Sequence, residues 1–415
     1  MKEELKQKLP PSMKFWLKRL VFNARRTLSR SDAPRVAEQF AGRQWPAQVA
    51  VFEDLVPRPD RDAGSARMMF ILRALSEWSH PVFFTTGKRL WPEYEKLLLG
   101  EDIELADALD FKRFLNERKF HAAILSRPAV AEIMLRPVRR AAPSLKIVYD
   151  MLDVHHLRAE REAALTGDPR AAAEAKRLRQ LETCIARAAD LIWCGSPADK
   201  LLMDGLAPGV PSVVVPTVHQ LHERGLSFDE RRQLLFVGNF SHRPNTDAVV
   251  YFVHDVLPLI RQSLPSVELH VVGDNAPAEF AEFASQGVRI LGYVPALDPI
   301  MFRSRVFVAP IRFGSGVNGK IGEALSYGVP VVTTTIGAEG WGFTDGQVLI
   351  GDNAAEFAAA VVRLYQNLTL WQTMSDKGFR HIAEHYTPEV VGQVINDSLR
   401  TSALQLTSHE QSNTQ

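Results

Sequence analysis

Cysteine is nearly absent: the 415 residues contain only Cys184 and Cys194, with no CxxC pair. Two thiols make no disulfide framework, and the expectation is two buried thiols in a reducing cytoplasm. Long apolar runs are also missing. None approaches the ~20 residues a membrane span needs, and the N-terminus lacks the apolar region of a signal peptide. A net charge of +1 gives the whole molecule no electrostatic bias toward nucleic acid. What remains is an ordinary soluble composition, 46% hydrophobic and 23% charged. Its length suits two or three domains of ~150 residues each.

The charge that is present is unevenly placed. Residues 1–30 hold nine Lys or Arg and two Glu, a net of +7, so the rest of the chain carries −6. Between Met13 and Leu28, Met13, Trp16, Leu17, Leu20, Val21, Ala24 and Leu28 fall on one helical face. Lys14, Lys18, Arg19, Arg25 and Arg26 fall on the other, while Phe15 and Phe22 interrupt the basic side. A basic amphipathic helix over residues 1–30, spanning 13–28 at its core, suits an anionic membrane surface or packing on its own domain.

From Ala47 onward, short apolar runs alternate with helical segments. The first series is Val49–Glu53, Val82–Thr86, Ala122–Ser126, Ile147–Met151, Leu191–Gly195 and Val213–Pro216. The second is Leu234–Val237, Glu268–Gly273, Val288–Gly292, Val306–Pro310, Val331–Thr335 and Val348–Ile350. Both series are βαβ-like and predict an α/β fold of two Rossmann-like parallel-sheet domains facing a cleft. The domains are set at 31–215 and 216–387. A helix over 388–404 crosses back to the first, and a polar tail over 405–415 reads as disordered.

The most informative loop is Arg312-Phe-Gly-Ser-Gly-Val-Asn-Gly-Lys320-Ile-Gly-Glu323, between a strand and a helix. Glycine-rich backbone at a helix start presents bare N–H groups and the positive end of a dipole, which suits a phosphate. Gly314, Gly319 and Lys320 fit a P-loop, but the magnesium-binding Ser or Thr is replaced by Ile321, so a P-loop NTPase loses its magnesium ligand at the outset. Other strand-end loops carry Gly64-Ser65, Asp153-Val-His155-His156, Gly238-Asn239-Phe-Ser-His242 and Gly292-Tyr293-Val294. Asn245 reads as the cap of a helix beginning near Thr246.

These motifs, in this order, resemble a known family. Leu235-Phe-Val-Gly238-Asn239, Leu291-Gly292-Tyr293-Val-Pro, Pro310 and Gly319-Lys320-Ile-Gly-Glu323-Ala-Leu-Ser-Tyr-Gly328 are similar to the C-terminal half of family 4 glycosyltransferases, of the GT-B fold and glycosyl transferases group 1. Asp62-Ala-Gly64-Ser65, Tyr149-Asp150-Met-Leu-Asp153-Val-His155 and Ala189-Asp190-Leu-Ile-Trp-Cys-Gly-Ser196 resemble the N-terminal half, so the likeness covers roughly residues 47–400.

The resemblance implies a retaining, hexosyltransferase-type enzyme of polysaccharide synthesis. It would take a nucleoside diphosphate sugar and a glycan or lipid-linked acceptor, without nucleic acid, at or near the inner membrane face. Lys320 would neutralise the donor pyrophosphate, and Glu323 would accept from the ribose hydroxyls. Gly64, Ser65, Gly238 and Asn239 would flank the phosphates, and Tyr293 and Val294 would meet the base through their backbone. His242 and Arg312 are further donor-side candidates. His155 is the candidate active-site histidine, chosen over His156 by its Asp-x-His spacing. Asp153 would orient it, act on the acceptor or cap a helix.

In many members a second glutamate stands eight positions before the first, but here that position is Ser315. The amides of Gly316 and Val317 would take over its contact to the transferred sugar. No Asp-x-Asp lies on a suitable metal loop, so neither metal nor cofactor is expected. The other readings are a sugar-nucleotide epimerase on the same scaffold and a non-catalytic sugar-nucleotide-binding partner subunit.

Overall fold

A computed structural model describes residues 47–87, 91–314, 316–344 and 346–412, with side chains to Arg400. The basic segment 1–30 and Ser315 lie outside the described residues.

The first lobe is a seven-stranded parallel sheet, in the order β3-β2-β1-β4-β5-β6-β7. Its strands are β1 Gln48–Glu53, β2 His80–Thr85, β3 Glu104–Asp107, β4 Ala122–Ser126, β5 Lys146–Asp150, β6 Leu191–Cys194 and β7 Ser212–Val214. Helices that matter for the site are α1 (Ala63–Ser76), α2 (Pro128–Ala141), α3 (His155–Thr166) and α4 (Pro169–Ala188). All residues of β1, β2 and β4 are buried, as expected of a parallel sheet covered on both faces. Two separate apolar cores fill those faces.

The second lobe is a six-stranded parallel sheet, in the order β10-β9-β8-β11-β12-β13. Its strands are β8 Gln233–Val237, β9 Leu269–Val272, β10 Val288–Gly292, β11 Ser304–Ala309, β12 Val331–Thr333 and β13 Val348–Ile350. Helix α5 (Arg243–Tyr251) follows β8, and α6 (Gly319–Ser326) follows β11. The final helix, α7 (Pro388–Ser412), returns to the first lobe. Val391, Ile395 and Leu399 join a first-lobe core there, and Trp78 Nε1 donates to Asn396 at 2.6 Å. α7 continues past Leu404 into the stretch whose polar composition reads as disordered.

Strand β3 escapes the sequence pattern because Glu104-Leu-Ala-Asp107 is short and half charged. Glu104 is buried at the sheet edge and is held there by Arg118 at 2.6 Å and His80 at 3.1 Å. The cysteine expectation holds for one residue only. Cys194 is buried, and burial pushes its thiol up to about 12; Cys184 is exposed on α4.

Candidate active site between the lobes

The loop after β5 is held from below. Asp150, fully buried, takes Arg67 Nη1 at 3.0 Å and Ser126 Oγ at 3.0 Å, while Arg67 also donates to Val215 O at 2.9 Å. Above this network, Leu152 adopts a φ of +62°, which a branched side chain rarely takes. Asp153 follows, and α3 then begins. Its N-terminus is capped by Glu182 of α4, which accepts from the amides of His155 at 2.9 Å and His156 at 3.1 Å. A carboxylate there also suits the helix dipole. Asp153 is therefore not the cap.

Glu182 also sorts the two histidines. His156 is 2% exposed, and its Nδ1 lies 2.5 Å from Glu182. It stands in the first turn of α3 as a buried residue and is turned away from the surface. His155 remains accessible, with Nε2 2.9 Å from Asp153 Oδ1. Arg158 takes the other carboxylate oxygen of Asp153 at 2.8 Å.

The second lobe meets this loop with its glycine-rich segment. Gly316 has a φ of +70°, and a Cβ there would fall 2.8 Å from the Asp153 Cβ. Only glycine allows both the backbone conformation and the close approach. Further down the loop, Lys320 enters the first turn of α6. Its Nζ donates to Asn245 Oδ1 at 2.7 Å and stands over the Phe236 ring at 5.6 Å. Burial without a carboxylate partner pushes its pKa down to about 8.

Asn245 is the residue that the sequence misread. Helix α5 starts at Arg243, so Asn245 lies inside its first turn and caps nothing. It donates to Asn239 O at 2.7 Å while accepting from Lys320. A side chain at Gly238 would fall 2.9 Å from its amide. Gly238 thus makes room for the residue that positions the lysine.

His242, exposed just before α5, reports how the site converges. Crowding by the surrounding protein, then Arg158, Lys320 and Arg127, lower its pKa to about 4, while Asp153 opposes them. Groups from both lobes act on its ring. Glu323 lies one turn beyond Lys320, with Oε2 3.4 Å from Nδ1 of buried His219. Val317 packs against the second-lobe core.

Two candidates do not join this group through their side chains. Arg312 is clamped to Asp247, with Nε at 2.9 Å, and lies over the Tyr251 ring. The Tyr293 hydroxyl donates to Asp60 at 3.2 Å, and its ring carries Arg61 at 4.1 Å. Arg61 also reaches Asp274 at 3.1 Å, which latches the two lobes together. On the α3 side, Arg161 binds Glu339 at 2.8 Å and the carbonyl of Gly314 at 2.9 Å. The Asp60-Arg61-Asp62 triplet is engaged within the protein, since Asp62 caps α1 by accepting from Ser65 N at 2.8 Å. Ser65 Oγ turns to the same carboxylate at 2.9 Å, with Gly64 beside it in the first turn. Among the described residues, no cluster of three or more His, Cys, Asp or Glu could hold a metal ion. No helix there is long and apolar enough to cross a membrane.

The glycine-rich loop, the half-buried Lys320 and the facing loop of the first lobe thus meet at one place between the two sheets. Residues 231–367 match the family model of Glycosyl transferases group 1. That match lies within the second lobe. Across both lobes the described residues share the GT-B fold with solved structures. Sucrose-phosphate synthase from Thermosynechococcus elongatus has a TM-score of 0.68 at 14% identity, covering 87% of this chain and 100% of that one. HepE from Anabaena in complex with UDP-glucose has a TM-score of 0.66 at 12% identity, covering 86% and 100%. At these identities the likeness establishes the fold. An uncharacterized 44.6 kDa protein in the cps region of Klebsiella pneumoniae is 27% identical over 169 residues. That match spans 38% of this chain and 43% of the relative.

Proposed function

We propose that the protein is a retaining glycosyltransferase that moves a sugar from a nucleoside diphosphate sugar to a glycan or lipid-linked acceptor in cell-surface polysaccharide synthesis. The observation that carries this reading is Lys320, a desolvated cation held by a neutral amide at the start of α6, on the glycine-rich loop whose Gly316 closes against Asp153. UDP-glucose in the HepE structure and the cps location of the Klebsiella relative support it.

In this reading the acceptor oxygen forms a bond to the anomeric carbon as the carbon–oxygen bond to the pyrophosphate breaks. The electron pair leaves with the nucleoside diphosphate, where Lys320 and the loop amides stabilise it. The acceptor proton passes to the departing phosphate oxygen on the same face. Glu323, braced by His219, takes the ribose hydroxyls. His155, steadied by Asp153, holds a hydroxyl of the transferred sugar. The amides of Gly316 and Val317 serve where a second glutamate is missing. Lys320 supplies the charge that a metal supplies elsewhere, so transfer proceeds in a chelator. The setting is the cytoplasm, with the basic residues 13–28 on the inner membrane face.

The test is a thermal-shift screen of the full chain against UDP-, GDP-, ADP- and CMP-sugars. One class is expected to raise the melting temperature, by mass action. Failure of all four would sink the reading.

The lysine also sets a pH dependence. Its folded pKa, about 8, lies below the ordinary 10.5, so the free protein loses this cation as pH rises through 8. kcat/KM should therefore fall above pH ~8, approaching tenfold per unit, because it reports groups of the free enzyme. A flat profile from pH 7 to 10 would contradict the role. The stability sign is opposite: the strain of keeping Lys320 charged is present below pH 8 and is relieved between 8 and 10.5.

A further inference from the structure

Arg127, which follows β4 and precedes Pro128, is not explained by the site as built so far. Its backbone has a φ of +73° and a ψ of 150°, a region that is essentially reserved for glycine. The following proline favours this extended ψ, and Arg127 N donates to Asp150 O at 2.8 Å, tying the residue to the buried Asp150–Arg67 network. Such strain persists where surrounding structure over-determines a residue, and it clusters at ligand sites.

The side chain is aimed as well as strained. Its Nε is 3.1 Å from both carboxylate oxygens of Glu53, which is 5% exposed at the end of β1. Glu53 raises the guanidinium pKa, and the group stays charged at any working pH. Only one edge of the guanidinium is used in this way. Among the described residues, Nη1 and Nη2 make no hydrogen bond. Nη2 lies 2.9 Å from where a Cβ on Gly64 would stand, so the absence of a side chain at 64 leaves its path open. The side chain is 34% exposed. The same Cβ at Gly64 would fall 3.4 Å from the Leu152 side chain, so the guanidinium lies beside the loop that carries Asp153 and His155.

A guanidinium with one edge anchored and the other presented to a sugar cleft recognises a planar or tetrahedral oxyanion. We propose that Arg127 binds an anionic group, a carboxylate or phosphate, carried by the sugar on the first-lobe side of the cleft. This rests on the nucleotide-sugar reading above and adds a substrate class to it. The anion belongs either to the transferred sugar or to the acceptor.

The experiment compares the intact wild-type chain with Arg127→Met. Dissociation constants are measured for UDP, UDP-glucose and UDP-glucuronate, and for glucose and glucose 6-phosphate in the presence of UDP. One anionic sugar is expected to bind about 10- to 100-fold more tightly than its neutral counterpart, the range of a hydrogen bond to a charged group. That preference should vanish in Arg127→Met while UDP binds both proteins equally. A preference for UDP-glucuronate places the anion on the donor; one for glucose 6-phosphate places it on the acceptor. If Arg127→Met melts early, Arg127→Gln, which retains a donor toward Glu53, replaces it. Wild-type protein that binds UDP without preferring either anion overturns the proposal, as does a preference that survives the substitution. Should the sugar-nucleotide screen select another base, the same comparison is run with that nucleotide and its sugars; wild-type protein that binds no nucleotide in the screen overturns the parent reading and this one with it.

Discussion

Replacing Lys320 by Ala should lower turnover by about 10²- to 10³-fold, the usual cost of removing one preorganised donor from a developing oxyanion. The lysine is the one side chain in the glycine-rich loop that brings a full positive charge to the amide cradle. Its partner is an amide oxygen at 2.7 Å, so its charge is not already spent on a carboxylate. Phe236 beneath it keeps the site apolar and raises the worth of the charge. The fold should survive, because the substitution removes a desolvated cation and not a core side chain. Nucleoside diphosphate release and a thermal melt, measured together, separate the two effects. Turnover within threefold of wild type would refute the assignment. Asn245→Ala should act in the same direction but less strongly, since it loosens the lysine without removing it.

The second large effect is on stability. Arg67→Leu should destabilise the first lobe by about 3–5 kcal/mol, because it leaves Asp150 charged, fully buried and without its cation. For a lobe of this size that lowers the melting temperature by roughly 10 °C. Removing both partners, as Arg67→Leu with Asp150→Leu, should recover much of the loss, since an apolar pair leaves no unpaired charge. The pair has a functional consequence too. Asp150 is the last residue of β5, its carboxylate holds Ser126, and its carbonyl holds the amide of Arg127. The loop carrying Asp153 and His155 springs from this point. A single substitution that melts no earlier than wild type would show that the network does not carry the lobe.

Much of this architecture was legible in the sequence because parallel strands buried on both faces read as short apolar runs. The second sheet shows all six of its runs, and the first hides only β3, whose charged residues are satisfied by partners distant in sequence. The glycine-rich loop was legible for a related reason: its close approach to Asp153 needs bare backbone, and glycine is a visible signal. The Asp-x-His spacing picked out His155, but the physical reason lies in Glu182, 26 residues from His156 and carrying no local signature. Arg312 was a candidate for contact with the donor, beside the reading of a solvated strand-end arginine. Its commitment to Asp247 is a long-range pairing that no local pattern announces. Asn245 was misplaced by two or three residues of helix boundary, which sufficed to turn a lysine-positioning amide into a cap. Arg127 gave a faint signal in Ser126-Arg127-Pro128 after an apolar strand; its left-handed φ became visible only in three dimensions.

The central claim is that the amide cradle and Lys320 hold a nucleoside diphosphate sugar and activate its leaving group without a metal. The most direct measurement is NMR of the anomeric proton while the full chain hydrolyses its best-binding donor in excess EDTA, with no acceptor added. The account predicts release of the nucleoside diphosphate, a first-formed free sugar with the anomeric configuration of the donor, and a rate unchanged by the chelator. Inverted sugar, or hydrolysis that stops in EDTA and returns with magnesium, would contradict it.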